Sequence, residues 1–345
     1  MPFDDPACFR VDHIPVRPIH WLWRPYLAFG KLALLDGDPG AGKSLFTADL
    51  AARLTRGGRM PDGSWRRKKA NVLFLNAEDG LDDTLRPRLD AAGADLTRVF
   101  SLGGCQVGDA DGGEMSFPSC FEALRQAVIA HAVELVVIDP MMAFFRPEVS
   151  ANSDQVMRVA LAPLAALAAR SGAAVLLVRQ LTKRGGRKAL YRGSGSIGII
   201  GAIRTALFLA RHPREADRRI LAMTKSNIGP AAPALACRLA EDAGRPRVHW
   251  LGECGATADE LCLPPAHGEA PDRPTADEWL LAALAGGPRP ATELREAAEA
   301  AGFSVRTLER AKQRLGVVAR QARRGDRTVW LWSEPAAPHG ARKRR

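Results

Sequence analysis

The sequence predicts an α/β protein whose mostly parallel sheet is covered by helices on both faces, followed by a small C-terminal winged helix-turn-helix. Two observations predict the larger part: short apolar runs alternate with helical patterns, and the first run leads into a glycine-rich turn. A third observation predicts the smaller part, because three helical patterns and two strand patterns follow a linker near the C-terminus. The 345 residues are long enough for two domains of this kind.

The larger part contains short strand patterns rich in Leu and Val, separated by helical patterns. We predict strands at 31–36, 71–76, 134–139 and 173–179, and helices at 43–55, 82–92, 119–131 and 154–171. This alternation is typical of a parallel sheet. Further strands are predicted at 204–210, 219–225, 235–240 and 247–251. They follow one another too closely for crossover helices between most of them, which favours antiparallel additions at one sheet edge.

Composition divides the chain further. Residues 1–25 contain several prolines and two tryptophans, and we expect them to pack on the sheet edge or on a neighbouring subunit. The sheet domain is predicted at 26–252, followed at 253–273 by a linker rich in Gly, Pro, Ala and acidic residues. The winged helix-turn-helix is predicted at 274–333, with helices at 275–285, 291–301 and 304–315 and strands at 317–320 and 328–332. A basic tail follows at 334–345.

The overall composition suggests one class of partner and argues against several classes of protein. The formal net charge of +11 and the pI near 9.8 suggest a polyanionic partner. No apolar run reaches the roughly 18 residues of a membrane helix, and the acidic start of the chain is unlike a signal peptide, so we expect a cytoplasmic protein without membrane contact. The six cysteines include no C-x-x-C pair, which argues against zinc and against a disulfide framework.

The glycine-rich turn matches the pattern G-x-x-x-x-G-K-[ST] at every fixed position and stands between a strand pattern and a helical pattern. Backbone N–H groups and the helix dipole at such a turn attract phosphate oxygens. Lys43 would reach the β- and γ-phosphates, and the hydroxyl of Ser44 would bind Mg²⁺. A chance glycine-rich turn is the alternative. The sequence therefore predicts binding of ATP with Mg²⁺, and the expected nucleotide contacts are Gly37, Asp38, Pro39, Gly40, Ala41, Gly42, Lys43, Ser44 and Leu45.

Two acidic residues are candidates for binding Mg²⁺ and for activating the attacking water. Asp139 ends an apolar strand pattern and would hold Mg²⁺, although it could simply be a turn residue before Pro140. Because residue 140 is proline, the carboxylate that activates water must come from another strand. Glu78 is the candidate, and we expect its strand to neighbour the strand before the glycine-rich turn. Asp79 competes with it, but helix capping is its expected use.

The strand predicted at 173–179 ends at Gln180, whose amide would sense the γ-phosphate and pass the nucleotide state to the next loop. This loop, residues 183–196, combines glycines, basic residues and one tyrosine, as expected of a contact with single-stranded DNA. An ordinary surface loop is the alternative. The expected DNA contacts in the loop are Lys183, Arg184, Arg187, Lys188 and Arg192.

These motifs, in this order, resemble those of the RecA-like ATPases, and most closely the RepA-type hexameric replicative helicases of plasmids and phages. The resemblance covers roughly residues 25–250 and rests on the P-loop, Glu78, Asp139, Gln180 and an Arg-Gly-Ser segment with a downstream arginine. It implies a RecA-like fold, with Glu78 as the catalytic base. The chain departs from the family at Gln180, where histidine is usual.

The same resemblance implies that Arg204 is an arginine finger for the neighbouring subunit's nucleotide, with a strand-end salt bridge as the alternative role. It also implies that Lys225 is a second cation acting across the interface, and that the subunits close into a hexameric ring. Related helicases often carry arginine where this chain has Asn227.

In the C-terminal region, Ser304 would cap the third helix. That helix displays Arg306, Arg310 and Arg314, which are expected to contact duplex DNA in the manner of a recognition helix. Docking of a replication protein is the alternative.

The sequence as a whole predicts a Mg-ATP-dependent ATPase that translocates along single-stranded DNA as a replicative helicase. The alternatives are a RecA/RadA-like recombination or repair ATPase and a DNA-binding regulator that uses ATP as an assembly switch.

Overall fold

The computed structural model describes residues 10–102, 117, 120–145, 153–181, 197–242, 244–262, 276–324 and 327–334. The chain divides into two compact units, Met1–Ala266 and His267–Arg345. Each is described by itself.

The larger unit is built from alternating strands and helices. Its strands are β1 (Trp21–Trp23), β2 (Leu27–Ala28), β3 (Leu32–Gly37), β4 (Gly58–Arg59), β5 (Trp65–Arg66), β6 (Asn71–Asn76), β7 (Val99–Ser101), β8 (Val133–Asp139), β9 (Ala174–Gln180), β10 (Thr205–Arg211), β11 (Arg218–Ser226), β12 (Ala234–Asp242) and β13 (Arg245–Cys254). Its α-helices are α1 (Lys43–Arg56), α2 (Arg86–Ala92), α3 (Phe121–Ala130), α4 (Asp154–Ser171), α5 (Ile197–Ala202) and α6 (Ala258–Cys262). A π-helical turn covers Leu81–Leu85, and 3₁₀ turns cover Val11–His13, Leu96–Arg98 and Met141–Phe144.

Among the described residues, nine strands form one sheet in the order β13-β12-β11-β10-β3-β9-β8-β6-β7. Neighbouring strands from β10 to β7 are parallel, and β11, β12 and β13 are antiparallel additions at one edge. The predicted α/β sheet is therefore confirmed. One expectation is wrong: β6, the strand before Glu78, does not neighbour β3, because β9 and β8 lie between them. The first late strand, β10, is also parallel rather than antiparallel to β3.

Helices cover both faces of the sheet. Along β3, Leu32 and Leu34 belong to a core formed with residues of α3 and α4, whereas Ala33 and Leu35 belong to a core formed with α1. Every residue of β3 is buried. Burial on both faces explains why these strands are continuous apolar runs in the sequence rather than alternating patterns.

The β1–β2 hairpin packs into the core on the α1 side of the sheet. Trp23 and Tyr26 are buried, and their rings stack with centroids 4.1 Å apart. The Trp23 indole N–H donates to Asp62 at 3.1 Å, and the Tyr26 hydroxyl donates to the Pro233 carbonyl at 2.8 Å. The end of the predicted N-terminal segment, from Trp21 onward, thus packs into the core of its own chain, whereas residues 11–20 are exposed.

The described residues of the smaller unit form three helices and a small antiparallel sheet. Its elements are α7 (Ala276–Leu284), β14 (Arg289–Pro290), α8 (Ala291–Ala300), α9 (Val305–Arg314), β15 (Val318–Arg324) and β16 (Arg327–Ser333). The strand order is β14-β16-β15, and Leu280, Leu294, Leu308 and Trp332 share the buried core. Ser304 caps α9 as predicted, because its hydroxyl accepts the Thr307 N–H at 3.2 Å.

Across the part of the chain that the structure describes, no helix combines the length and apolar character required to cross a bilayer.

Candidate nucleotide-binding site

The glycine-rich turn joins β3 to α1 in a conformation that requires glycine at two places. Gly42, immediately before α1, has φ +96°, in the left-handed region. At Gly37, an added Cβ atom would lie 2.7 Å from the Leu209 carbonyl oxygen of the neighbouring strand. The turn therefore lies tightly against β10 and opens at the N-terminus of a 14-residue helix, where phosphate oxygens bind favourably.

Lys43 points back into this turn. Its ammonium group donates to the carbonyl oxygens of Gly37 at 2.9 Å and Asp38 at 3.1 Å. Burial lowers the pKa of Lys43, and the negative charge of Asp139 opposes that shift more than any other residue. The cation is thus held at the turn and close enough to Asp139 to interact with it.

The two predicted ligands of Mg²⁺ lie together. The Ser44 hydroxyl donates to the Asp139 carboxylate at 2.9 Å, although these residues begin α1 and end β8. A hydroxyl oxygen beside a carboxylate is a donor set that suits Mg²⁺. Burial raises the pKa of Asp139, while the hydrogen bond from Ser44 and the charge of Lys43 lower it.

Glu78 lies on the turn after β6, next to the strand that ends in Asp139. The side chain of Asn76 accepts the N–H groups of Glu78 and Asp79 at 3.1 Å each, and the Ala77 N–H donates to the Asp139 carbonyl at 3.2 Å. These bonds fix the turn, and the Glu78 carboxylate remains exposed. The charges of Asp79 and Glu78 both raise the pKa of Asp139, so the three carboxylates share one electrostatic environment.

The capping role expected of Asp79 is wrong. The helical segment after it starts at Leu81 without a side-chain cap, and Asp79 forms an ion pair with Arg88 instead.

Gln180 lies beside the glycine-rich turn. It ends β9, the strand adjacent to β3, where it pairs in register with Gly37, and the Leu181 N–H donates to the Gly37 carbonyl at 3.1 Å. Five predicted residues (Lys43, Ser44, Glu78, Asp139 and Gln180) therefore lie at the carboxyl edge of one sheet, where α/β proteins bind ligands.

Residues 7–186, just over half of the chain, match the family described as an AAA domain. The chain belongs to this family. Family and fold together identify it as a RecA-like P-loop ATPase. The chain is also similar to the DNA repair protein RadA of Halalkalibacterium halodurans, with 26% identity over 158 residues. That match covers 45% of this chain and only 29% of the RadA chain.

A buried ion pair of this ATPase was not anticipated from the sequence. Arg179 donates to both carboxylate oxygens of Asp36, at 2.7 and 2.8 Å, and each side chain is 1% exposed. The two residues are register partners on β3 and β9, one position before Gly37 and Gln180. In the sequence, an acidic and a basic residue stand near the ends of two apolar strand patterns. That they form an ion pair can be inferred only once β3 and β9 are known to be neighbours in register.

Two arginines that follow the matched segment in the sequence contact the P-loop. Arg211, at the end of β10, donates to the Gly40 carbonyl at 3.1 Å, and Arg219 on β11 donates to the Ala41 carbonyl at 3.1 Å. Leu239 of β12 completes the contact, since an added Cβ atom at Gly42 would lie 2.8 Å from its side chain. The late strands therefore support the P-loop, through contacts that no local sequence pattern predicts.

Arg204 and Lys225 lie at the other edge of the sheet. The Arg204 N–H donates to the Leu32 carbonyl at 2.9 Å, at the start of β3, and its side chain is exposed. Gly37 is five residues further along β3, or about 16 Å at the usual rise of a strand. The Lys225 ammonium donates to the carbonyls of Ile200 and Ile203 at 2.5 and 3.0 Å. Neither side chain therefore lies at the P-loop of its own chain.

The predicted DNA contacts fall into two groups. Lys183, Arg184, Arg187, Lys188 and Arg192 lie outside the described residues. In the smaller unit, Arg306 and Arg310 are exposed on α9, whereas Arg314 donates to both carboxylate oxygens of Asp277, at 3.0 and 2.5 Å.

Proposed function

We propose that this protein is a Mg-ATP-dependent DNA-translocating ATPase that works as a RepA-type replicative helicase in a hexameric ring. The observation that carries the proposal is the division of the candidate groups between two opposite edges of one sheet. The P-loop, Asp139 and Glu78 lie at the carboxyl edge, and Arg204 and Lys225 lie at the amino edge.

Within one subunit, the residues at the carboxyl edge bind ATP and prepare water for attack. Lys43 leaves the loop carbonyls for the β- and γ-phosphates, and Ser44 and Asp139 are the residues that would hold Mg²⁺. Mg²⁺, when bound, neutralises charge on the phosphate oxygens. Glu78 takes a proton from the water whose oxygen bonds to the γ-phosphorus while the bond to ADP breaks. Gln180, beside Gly37, senses whether the γ-phosphate is present.

Between subunits, Arg204 completes the neighbouring site. The distance from Arg204 to its own P-loop is far longer than a hydrogen bond. Its guanidinium is exposed at the sheet edge, where it can contact another subunit. A head-to-tail contact of one amino edge with the next carboxyl edge closes into a ring when the rotation permits. Arginine fingers supplied in this way raise turnover by roughly 10³- to 10⁵-fold.

DNA contacts are assigned to two regions. The basic loop at 183–196 directly follows Gln180 in the sequence, which suits a segment that changes its hold on single-stranded DNA with the nucleotide state. The smaller unit acts as a winged helix-turn-helix on duplex DNA. Arg306 and Arg310 are exposed one helical turn apart, on the opposite side of α9 from buried Leu308. Arg314 instead joins α9 to α7 through Asp277.

The decisive test mixes two inactive variants. Arg204→Ala and Glu78→Gln should each reduce DNA-stimulated ATP hydrolysis by at least a thousandfold, while an equimolar mixture should recover part of it. Recovery is expected because some interfaces then combine an intact Glu78 with an intact Arg204. Arg170→Ala, which changes an exposed arginine on α4, is the matched control and should remain active.

Native mass spectrometry must show that both variants still assemble and mix. Assembled mixed rings without recovered hydrolysis would exclude Arg204 as a finger. Persistent hydrolysis in Lys43→Ala would exclude the whole site.

A repair ATPase is the second candidate, because the similarity to a DNA repair protein favours it. Two assays on the same preparation separate the candidates. Unwinding of a forked duplex supports the helicase, and filament growth on single-stranded DNA without unwinding supports the repair ATPase.

A further inference from the structure

The smaller unit contains a cleft that the proposed function does not use. It lies between α8, α9 and the β15–β16 hairpin, with a volume of about 420 Å³. Thr292, Arg295, Lys312, Thr328, Trp330 and Trp332 contribute to its lining. Pockets of roughly 300–1,000 Å³ are usual for small ligands, so the cleft can admit one nucleotide-sized group.

The base of the cleft is a tryptophan flanked by two cations. Trp332 is buried, and the Lys312 ammonium lies 4.4 Å from its ring centroid while the Arg295 guanidinium lies 5.7 Å from it. Glu309 interacts with both cations, at 2.8 Å from Arg295 and 3.9 Å from Lys312. One acid for two bases keeps these cations in place and leaves the cluster positively charged.

Trp330 is the unusual residue of the cleft. It stands two positions before Trp332 on β16, so both indoles share one face of the hairpin, yet the Trp330 side chain is 53% exposed. On that face Gln321 lies opposite Trp330, and Arg323 lies opposite Thr328. An exposed indole beside Lys and Arg side chains is the combination that binds unpaired bases: the ring stacks and the cations neutralise phosphate.

From this arrangement we propose that the cleft binds an unpaired base of a nucleic-acid strand, stacked on Trp330, with its phosphate held by Lys312 and Arg295. An unpaired base fits better than a duplex, because the base faces of a duplex are covered by their neighbours. The cleft is also separate from the exposed Arg306–Arg310 side of α9. The inference rests on the proposed role in DNA binding and is independent of the ATPase assignments.

The test uses the full chain and an eight-nucleotide oligodeoxythymidylate containing 5-bromodeoxyuridine. The five basic residues predicted in the 183–196 loop are changed to alanine, which removes the other expected single-strand contact. Irradiation should cross-link the probe to Trp330, as mapped by mass spectrometry. In this background, Trp330→Ala should weaken binding roughly 5- to 100-fold, the range typical of lost base–aromatic stacking.

Two variants control for other effects of the substitution. Trp330→Phe keeps an aromatic face and should bind within about threefold of the parent. Trp65→Ala removes a 69% exposed tryptophan from the larger unit and should leave binding unchanged. Thermal melting of each variant tests whether the smaller unit remains folded.

Three results would overturn the inference: no cross-link at Trp330, equal binding of an abasic oligonucleotide of the same length, or displacement of the probe from Trp330 by a glutamate-rich peptide that binds more tightly. The last would assign the cleft to an acidic protein segment. DNA-stimulated ATP hydrolysis by the unsubstituted protein separates the two proposals. Normal stimulation of that protein without a cross-link to Trp330 rejects the cleft alone, and a cross-link to Trp330 without stimulation rejects the motor alone.

Discussion

The buried ion pair between Asp36 and Arg179 gives the sharpest prediction about stability. Asp36→Asn preserves the shape of the side chain but removes the negative charge that faces the guanidinium. Both partners are 1% exposed and are joined by hydrogen bonds of 2.7 and 2.8 Å, so water cannot replace the lost carboxylate. Removing one member of such a pair typically costs about 3–5 kcal/mol, because the other charge stays buried.

Urea unfolding, followed by circular dichroism, measures this effect as a lower midpoint at unchanged slope. The matched comparison is the double variant Asp36→Leu/Arg179→Met, which replaces both charges by apolar groups of similar size. Its stability should return to within about 2 kcal/mol of the parent, because apolar replacement of a whole buried pair is often neutral. The pair immediately precedes Gly37 and Gln180 on adjacent strands, so Asp36→Asn should also weaken nucleotide binding. The double variant should recover this affinity.

Two outcomes would refute this reasoning. A loss below about 1 kcal/mol in Asp36→Asn would mean that solvent or other groups compensate Arg179. A double variant no more stable than the single one would mean that the two strands need the polar groups themselves rather than charge balance.

Three further predictions concern single contacts. Gly42→Ala should weaken the binding of a fluorescent ATP analogue about tenfold, because a residue with a side chain pays about 1–2 kcal/mol for a left-handed backbone. Adding Leu239→Ala should not restore the affinity; full restoration would assign the loss to the contact with the Leu239 side chain. Ser304→Ala should destabilise the smaller unit by about 1 kcal/mol in thermal melts and Ser304→Asp should not, whereas equal melts would reject the cap. Burial raises the pKa of the Cys237 thiol to about 12, so iodoacetamide at pH 8 should modify it only after unfolding; rapid modification of folded protein would contradict its burial.

Local patterns were sufficient to predict the elements that bear the site. The segment from Leu32 to Arg56 carries a strand signal, a complete P-loop pattern and a helix signal in succession, and β3 and α1 have nearly the predicted bounds. The helix predicted at 82–92 is less regular, because Pro87 lacks a backbone N–H. The structure forms a π-helical turn there and begins α2 only at Arg86.

Relations between distant strands were not available from local patterns. The sequence indicated that Glu78 and Asp139 lie at the same edge as the P-loop, because both end parallel strands. It could not show that β9 and β8 separate β6 from β3. The Asp36–Arg179 pair and the support of the P-loop by Arg211 depend on pairings across more than 140 residues, which periodicity does not encode.

The late strands connect the two edges on which the proposed function depends. At the carboxyl edge of the sheet, Arg211 and Arg219 donate hydrogen bonds to P-loop carbonyls. Arg204, the proposed finger for the next subunit, lies at the opposite end of β10. A strand paired on both sides in a sheet moves as a unit, because each of its hydrogen bonds resists local displacement. In the proposed ring, a shift of the P-loop on loss of the γ-phosphate would therefore reach the neighbouring active site along β10. That path gives a physical basis for hydrolysis in sequence around the ring rather than independently in each subunit.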